Sequence, residues 1–200
     1  MENWPEWGDD WDRKTESGEE IAPRTLKRDA KNLLRAAMKR EELKDVFIFP
    51  APGESVHTVS NGKFDYWTYA PLIVERMEKP IDFWCSTWSM NRGIALDIFR
   101  LFDKGAFRSI NILTGMYFKR REPAVYSVLL DGLKERKQNY RAAKNHAKVM
   151  LFDDGDTAIV CAGSANLTSN PRIEQTVVTS DRELFEFHRD WMKDVIDARR

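Results

Sequence analysis

From residue 55 onward the hydrophobic period switches repeatedly between two and about 3.6, and that rhythm restricts the chain to layered α/β architectures. Strand-like runs are predicted at Ser55 to Ser60, Ile81 to Trp88 and Ser109 to Thr114, with helical patterns over Asp65 to Met77, Arg92 to Asp103 and Pro123 to Lys137. Such alternation is the sequence form of βαβ units. The pattern then changes to consecutive strands, predicted at Asn139 to Lys144, Ala147 to Asp153, Thr157 to Ala162 and Ile173 to Thr179, and closes with a helix over Asp181 to Asp197. The expected fold is therefore a central mixed, mostly parallel sheet flanked by helices. With 200 residues and 42% apolar content the chain can bury a core without disulfide or metal staples.

The N-terminal part reads differently. Residues 1–20 are acidic and contain Gly and Pro, which predicts a disordered tail. Within it Trp4, Trp7 and Trp11 are spaced to share one helical face, so the tail either docks its aromatics on the body or imitates nucleic acid at a basic site. Residues 21–54 follow as a helix and loop. Leu26, Ala30, Leu33, Leu34, Ala37 and Met38 recur at helical spacing between Arg24 and Lys44, before the loop at Pro50, Pro52 and Gly53. The outer face of that predicted helix is basic, which suits phosphates, a dimer contact or plain solvation equally. Residues 55–200 form the main domain.

Bases and acids cancel at 32 each, but the tail holds eight acids against two bases, leaving residues 21–200 with 30 bases and 24 acids. A mildly positive body favours a polyanionic partner. Cys85 and Cys161 lie inside apolar runs and read as reduced core residues of a cytoplasmic protein. No signal-peptide pattern and no apolar run long enough to span a bilayer is present, so neither secretion nor a membrane role is expected. No histidine, cysteine and carboxylate cluster has metal-ligand spacing, so no metal or cofactor is implied.

Ligands of an α/β sheet bind at the C-terminal ends of its parallel strands. Three loops expected there interleave basic and aromatic side chains: Ser60 to Lys63, Thr87 to Arg92 and Gly115 to Arg121. Lys63, Trp88, Asn91, Arg92, Lys119, Arg120 and Arg121 are the candidate substrate-binding residues, because cations follow phosphates and aromatic faces receive bases.

The chemistry lies between Asn145 and Gln175. On a strand His146 and Lys148 share a face, and Asp154-Gly155 signals a hairpin. A two-residue turn there would set His146 opposite Gly163, with Ser164 and Asn166 just beyond. A nucleophile or base, a cation, a hydroxyl and an amide would then converge, as a phosphate site requires.

The string His146-x-Lys148, then Asp153, then Gly163-Ser164-x-Asn166 resembles the HKD motif of the phospholipase D superfamily, and the likeness extends over about residues 55–197. The spacing departs at one point, since nine residues separate Asp153 from Gly163, three more than usual. The stretches Val59 to Trp67 and Leu113 to Arg121 are also similar to single-motif phage and prophage proteins. The resemblance implies that His146 attacks phosphorus and that a second histidine serves as acid and base. It also implies that Lys148 and Asn166 hold the non-bridging oxygens, and that Ser164 assists them. Glu174 resembles the acid that orients the catalytic imidazole, Arg172 is placed to reach a phosphate or a salt bridge, and Asp153 is assigned a structural role.

The superfamily uses two such motifs and this chain has one, since neither His57 nor His188 begins a second copy. A homodimer sharing one active site at its two-fold axis is the simplest completion. The function implied is a metal-independent phosphodiesterase, most simply an endonuclease, with DNA favoured over RNA. The alternative is a nucleic-acid-binding accessory protein of a phage or mobile element that cuts little or not at all.

Overall fold

The computed structural model describes residues 47–60, 65–168 and 172–198, together with Leu43 and the strand backbones at 24–28 and 33–35. The acidic tail, its tryptophans, Lys63 and most of the loop after Ser60 lie outside the described residues.

Among the described residues nine strands form one sheet: β1 (Arg24–Arg28), β2 (Leu33–Arg35), β3 (Ser55–Ser60), β4 (Ile81–Thr87), β5 (Phe107–Gly115), β6 (Asn139–Ala143), β7 (Val149–Asp153), β8 (Ala158–Gly163) and β9 (Glu174–Ser180). Their order is β2-β1-β3-β9-β8-β7-β4-β5-β6. The helices are α1 (Tyr69–Val74), preceded by a 3₁₀ turn at Tyr66–Thr68, α2 (Arg92–Asp103), α3 (Phe118–Arg121), α4 (Pro123–Glu135) and α5 (Arg182–Asp197). The α2 span agrees with its periodicity to the residue. Asn91 and Asp181 cap α2 and α5, each side chain accepting from a backbone N–H three residues on.

Two expectations fail. Only the β4–β5 and β5–β6 pairs are parallel; the other six pairings are antiparallel, so the sheet is mixed and mostly antiparallel. Helical crossovers set the parallel half, whereas the short connections after β7 and β8 return the chain antiparallel, as short links must. The predicted N-terminal helix is also replaced by strands at Arg24–Arg28 and Leu33–Arg35, while Leu43 near its predicted end is helical. β1 pairs with β3 from Arg24↔Val59 to Arg28↔Ser55. The edge of β3 offers a row of peptide groups, and pairing with them overrides helical propensity.

Alternation along the strands divides the core between the two faces of the sheet. Phe83, Cys85, Ile110, Ile112, Met150, Phe152 and Cys161 face α1, α2 and α4, while Val149, Leu151, Ala158 and Val160 lie under Phe185 and Met192 of α5. Phe83 is stacked on Phe107 at 4.6 Å between ring centroids and tilted against Phe152 at 5.2 Å. Both cysteines are free and buried. Burial raises both thiols, Cys161 to about 12, so neither is poised to react. Among the described residues no helix is long and apolar enough to cross a membrane.

Strand directions decide what meets. The antiparallel pairings bring the C-terminal ends of β3, β4, β5, β6 and β8 to the same end of the sheet as the N-terminal ends of β7 and β9. The loops after β4 and β5 therefore open at that end, and β3 ends there too, although few of the strands are parallel neighbours.

Candidate phosphate site at one end of the sheet

His146 lies in the short link between β6 and β7, and Lys148 is the residue before β7. Asn145 fixes this link to β4: its Oδ1 accepts from Ser86 Oγ at 3.2 Å and from Ala147 N at 3.0 Å, and its Nδ2 donates to Thr87 O at 3.2 Å. With the turn held on both sides, the His146 ring is exposed and the Lys148 side chain is buried beneath it. Lys148 Nζ donates to His146 Nδ1 at 2.8 Å and to His146 O at 2.7 Å. Burial lowers the Lys148 ammonium from the ordinary lysine range, and the Glu174 carboxylate opposes that shift.

The partner strands supply the remaining groups. Gly163 N donates to Lys148 O at 3.1 Å, and Ser164 N donates to Gln175 O at 3.1 Å, so Ser164 stands where β8 ends beside β9. Ser164 Oγ donates to Glu174 and accepts from Gln175 N at 3.1 Å. The hydroxyl thereby connects the acid of β9 to the end of β8. Asn166 is half-buried, and its Oδ1 is buried with no hydrogen-bond partner among the described residues. A buried acceptor of this kind is costly unless a donor satisfies it.

The hairpin register differs from the two-residue turn expected. Val149 pairs with Ala162 and Asp153 with Ala158, so Gly163 stands against Lys148 and four residues, Asp154 to Thr157, make the turn. Asp154 closes it, its Oδ1 accepting from Asp156 N at 3.0 Å and Thr157 N at 2.8 Å. A slip of two residues keeps every side chain on its face, which is why the polar set still assembles. Glycine is required at position 163 by close approach: a Cβ there would lie 2.9 Å from Gln175 O and 3.1 Å from Tyr66 Cε2.

The loop after β4 reaches His146 through Trp88, and Arg121 at the end of α3 reaches Trp88 in turn. Trp88 lies 6.1 Å from the His146 ring, centroid to centroid, and the Arg121 guanidinium lies 4.7 Å from the Trp88 ring centroid. The other candidates are spread wider. Arg120 sits over Tyr117 and Lys119 over Tyr126, Arg92 is exposed at the start of α2, and Asn91 spends its side-chain oxygen on Ile94 N at 2.9 Å. Arg172 is exposed two residues before Glu174. Asp153 is at the far end of the sheet, paired with Arg182 at 2.9 Å. His57 is in the middle of β3, opposite Val177, and His188 accepts from Trp191 Nε1 at 3.1 Å within α5.

Residues that sequence reasoning passed over hold the site together. Besides Asn145 and Ser86, Thr87 Oγ1 accepts from Leu167 N at 3.3 Å, and Tyr66, fully buried, donates its hydroxyl to Lys148 O at 3.3 Å and to Cys161 O. The available signal was Ser86-Thr87, two small polar residues ending a strand that is otherwise apolar on its buried face. Among the described residues no three histidine, cysteine or carboxylate side chains gather as metal ligands.

Fold and site together define an α/β protein with a histidine–lysine pair and a serine–glutamate pair at one end of a mixed sheet. No family model matches the chain, and no curated protein matches it. Among solved structures it is similar to TrmBL2, an archaeal chromatin protein with a novel mode of DNA binding, at 17% identity and a TM-score of 0.46, covering 69% of this chain and 51% of that one. It is also similar to the phosphatidylserine synthase of Haemophilus influenzae Rd KW20, at 11% identity and a TM-score of 0.46, covering 84% of this chain and 42% of that one. The chain thus spans about half the length of these proteins or less.

Proposed function

We propose that this chain is a nucleic-acid phosphodiesterase, most simply an endonuclease, that works through a phosphohistidine on His146. The observation that carries the reading is the contact of Lys148 Nζ with His146 Nδ1 beside the Ser164–Glu174 pair, with Trp88 and Arg121 adjoining. A ring nitrogen of His146 attacks phosphorus as the bond from phosphorus to the leaving oxygen breaks. A second histidine gives its proton to that oxygen, then takes one from water. The water oxygen attacks phosphorus, the phosphorus–nitrogen bond breaks, and a phosphomonoester and free imidazole result. Lys148 and the Asn166 amide hold the non-bridging oxygens as charge develops, which places the electrostatic work on the chain's own groups.

His57 and His188 are engaged elsewhere in the fold, so the second histidine is the His146 of another copy, in a homodimer with one shared site. A monodisperse monomer with full activity would overturn that part of the reading. Cleavage of labelled single- and double-stranded DNA and RNA in excess chelator, wild type against His146→Ala, tests the whole. Activity confined to the wild type supports a phosphodiesterase that needs no added metal and identifies its polymer. Binding without cleavage by either protein favours the accessory-protein reading instead.

A further inference from the structure

The rim beside His146 is flatter and more apolar than phosphate chemistry alone requires. Trp88 is half-buried rather than packed into the core, and the exposed Arg121 covers it with a guanidinium 4.7 Å from the ring centroid. The same loop exposes Met116 at 44% and Tyr117 at 50%, with Arg120 over the Tyr117 ring. Trp88 and Arg121 put an indole and a guanidinium plane beside His146, the kinds of surface on which nucleobases stack.

Trp88 is placed there by its neighbours. Gly115 N donates to Trp88 O at 3.2 Å, and a Cβ on Gly115 would lie 2.5 Å from Trp88 Cδ1, so glycine at the end of β5 is what lets the indole lie across that strand end. The ring stands 6.1 Å from His146, with the two planes tilted by 54°. A base one sugar away from a phosphate held at His146 reaches this ring. In a duplex both faces of every base are already covered by the neighbouring bases in the stack, so only an unpaired base can use it.

We infer that Trp88 and the Arg121 guanidinium stacked on it form a stacking platform for an unpaired nucleobase next to the phosphate at His146, which makes single-stranded nucleic acid the substrate class. This rests on the phosphodiesterase reading for the place of the phosphate. Charge supplies binding to any polyanion, whereas the platform supplies the preference for strands with free bases.

The test measures binding, so that it stands apart from catalysis. The full chain carrying His146→Ala is titrated with three labelled probes: a single-stranded thymidine dodecamer, an abasic dodecamer with the same phosphates, and a duplex of the same length. The thymidine strand is expected to bind about tenfold more tightly than the abasic strand, and adding Trp88→Ala to remove most of that difference, with a clearly smaller loss on the abasic and duplex probes. Trp88→Phe, with its smaller ring, is expected to fall between, and it keeps the test open where the alanine variant does not fold. Equal losses on the thymidine and abasic strands overturn the inference, as does a base-dependent difference that survives both substitutions. Failure to bind any probe overturns it too. Cleavage that survives His146→Ala instead overturns the catalytic reading and leaves this comparison standing.

Discussion

The β7–β8 hairpin carries polar residues at both ends, and its two ends use them in opposite ways. At the turn the carboxylates are engaged within the chain. Asp153 pairs with Arg182 and accepts from Gly155 N, Asp154 caps the four-residue turn, and Asp156 pairs with Lys79 at 2.6 Å. At the base, Lys148 is buried and shifted by that burial, His146 is exposed, and Asn166 Oδ1 is buried without a partner among the described residues. Density of charge therefore does not mark the site. What separates the ends is that the turn engages its carboxylates within the chain, while the base leaves the His146 ring exposed and one buried acceptor, Asn166 Oδ1, without a partner among the described residues.

The sharpest way to break this comparison is to substitute one residue at each end. His146→Ala is expected to reduce cleavage at least ~10³-fold with the fold intact. Asp153→Asn is expected to keep cleavage and lower stability by about 1 kcal/mol. Cleavage assays paired with denaturant melts check both, and a catalytic loss in Asp153→Asn would put chemistry at the wrong end.

A smaller effect sharpens the role of the orphaned amide. Asn166→Ala is expected to cost about 10²-fold in kcat, the size of one lost donor to a developing oxyanion. The same change removes a buried acceptor without a partner, so stability should hold or rise. A variant that loses stability and keeps kcat would make Asn166 a structural residue.

At the turn, Asp154→Ala removes the acceptor of two backbone N–H groups and is expected to destabilise by about 1–2 kcal/mol, with kcat per folded molecule unchanged. Unfolding curves and active-site-normalised rates measure the two quantities separately.

The smallest effect is a pH dependence. The folded Lys148 titrates below its unfolded value, so between those two values the unfolded chain binds more protons and stability rises with pH. Anion binding runs the other way, since it is lost as pH rises through the lowered folded value, earlier than at an exposed lysine. Affinity for a single-stranded oligonucleotide should therefore decline on an alkaline limb that Lys148→Arg removes, because a guanidinium stays charged. An identical limb in both proteins would assign it to another group.

Much of the site was legible because local spacing encodes it. His146 and Lys148 share a face through strand alternation, and Ser164, Asn166 and Glu174 follow from the returning strand and its neighbour. The expected register was two residues off, yet an even slip preserves the face, so the grouping survived the error. The loops expected to bind were legible as loops, but the packing of their side chains was not. Arg121 and Arg120 are adjacent in sequence, and only packing decided that the first covers Trp88 and the second Tyr117.

Periods of a few residues encode the succession of elements between Ser55 and Asp197, apart from the short helix Phe118–Arg121, and the polar set at the base of one hairpin. Only the tertiary structure decided the direction of the strands, the strand pairing of Arg24–Arg28, and the ties from Asn145, Ser86, Thr87 and Tyr66 that hold the site. The physical reason is the same in each case. Pairing partners lie tens of residues away, and an open sheet edge or a buried carbonyl chooses among segments by proximity in space, which no local pattern records.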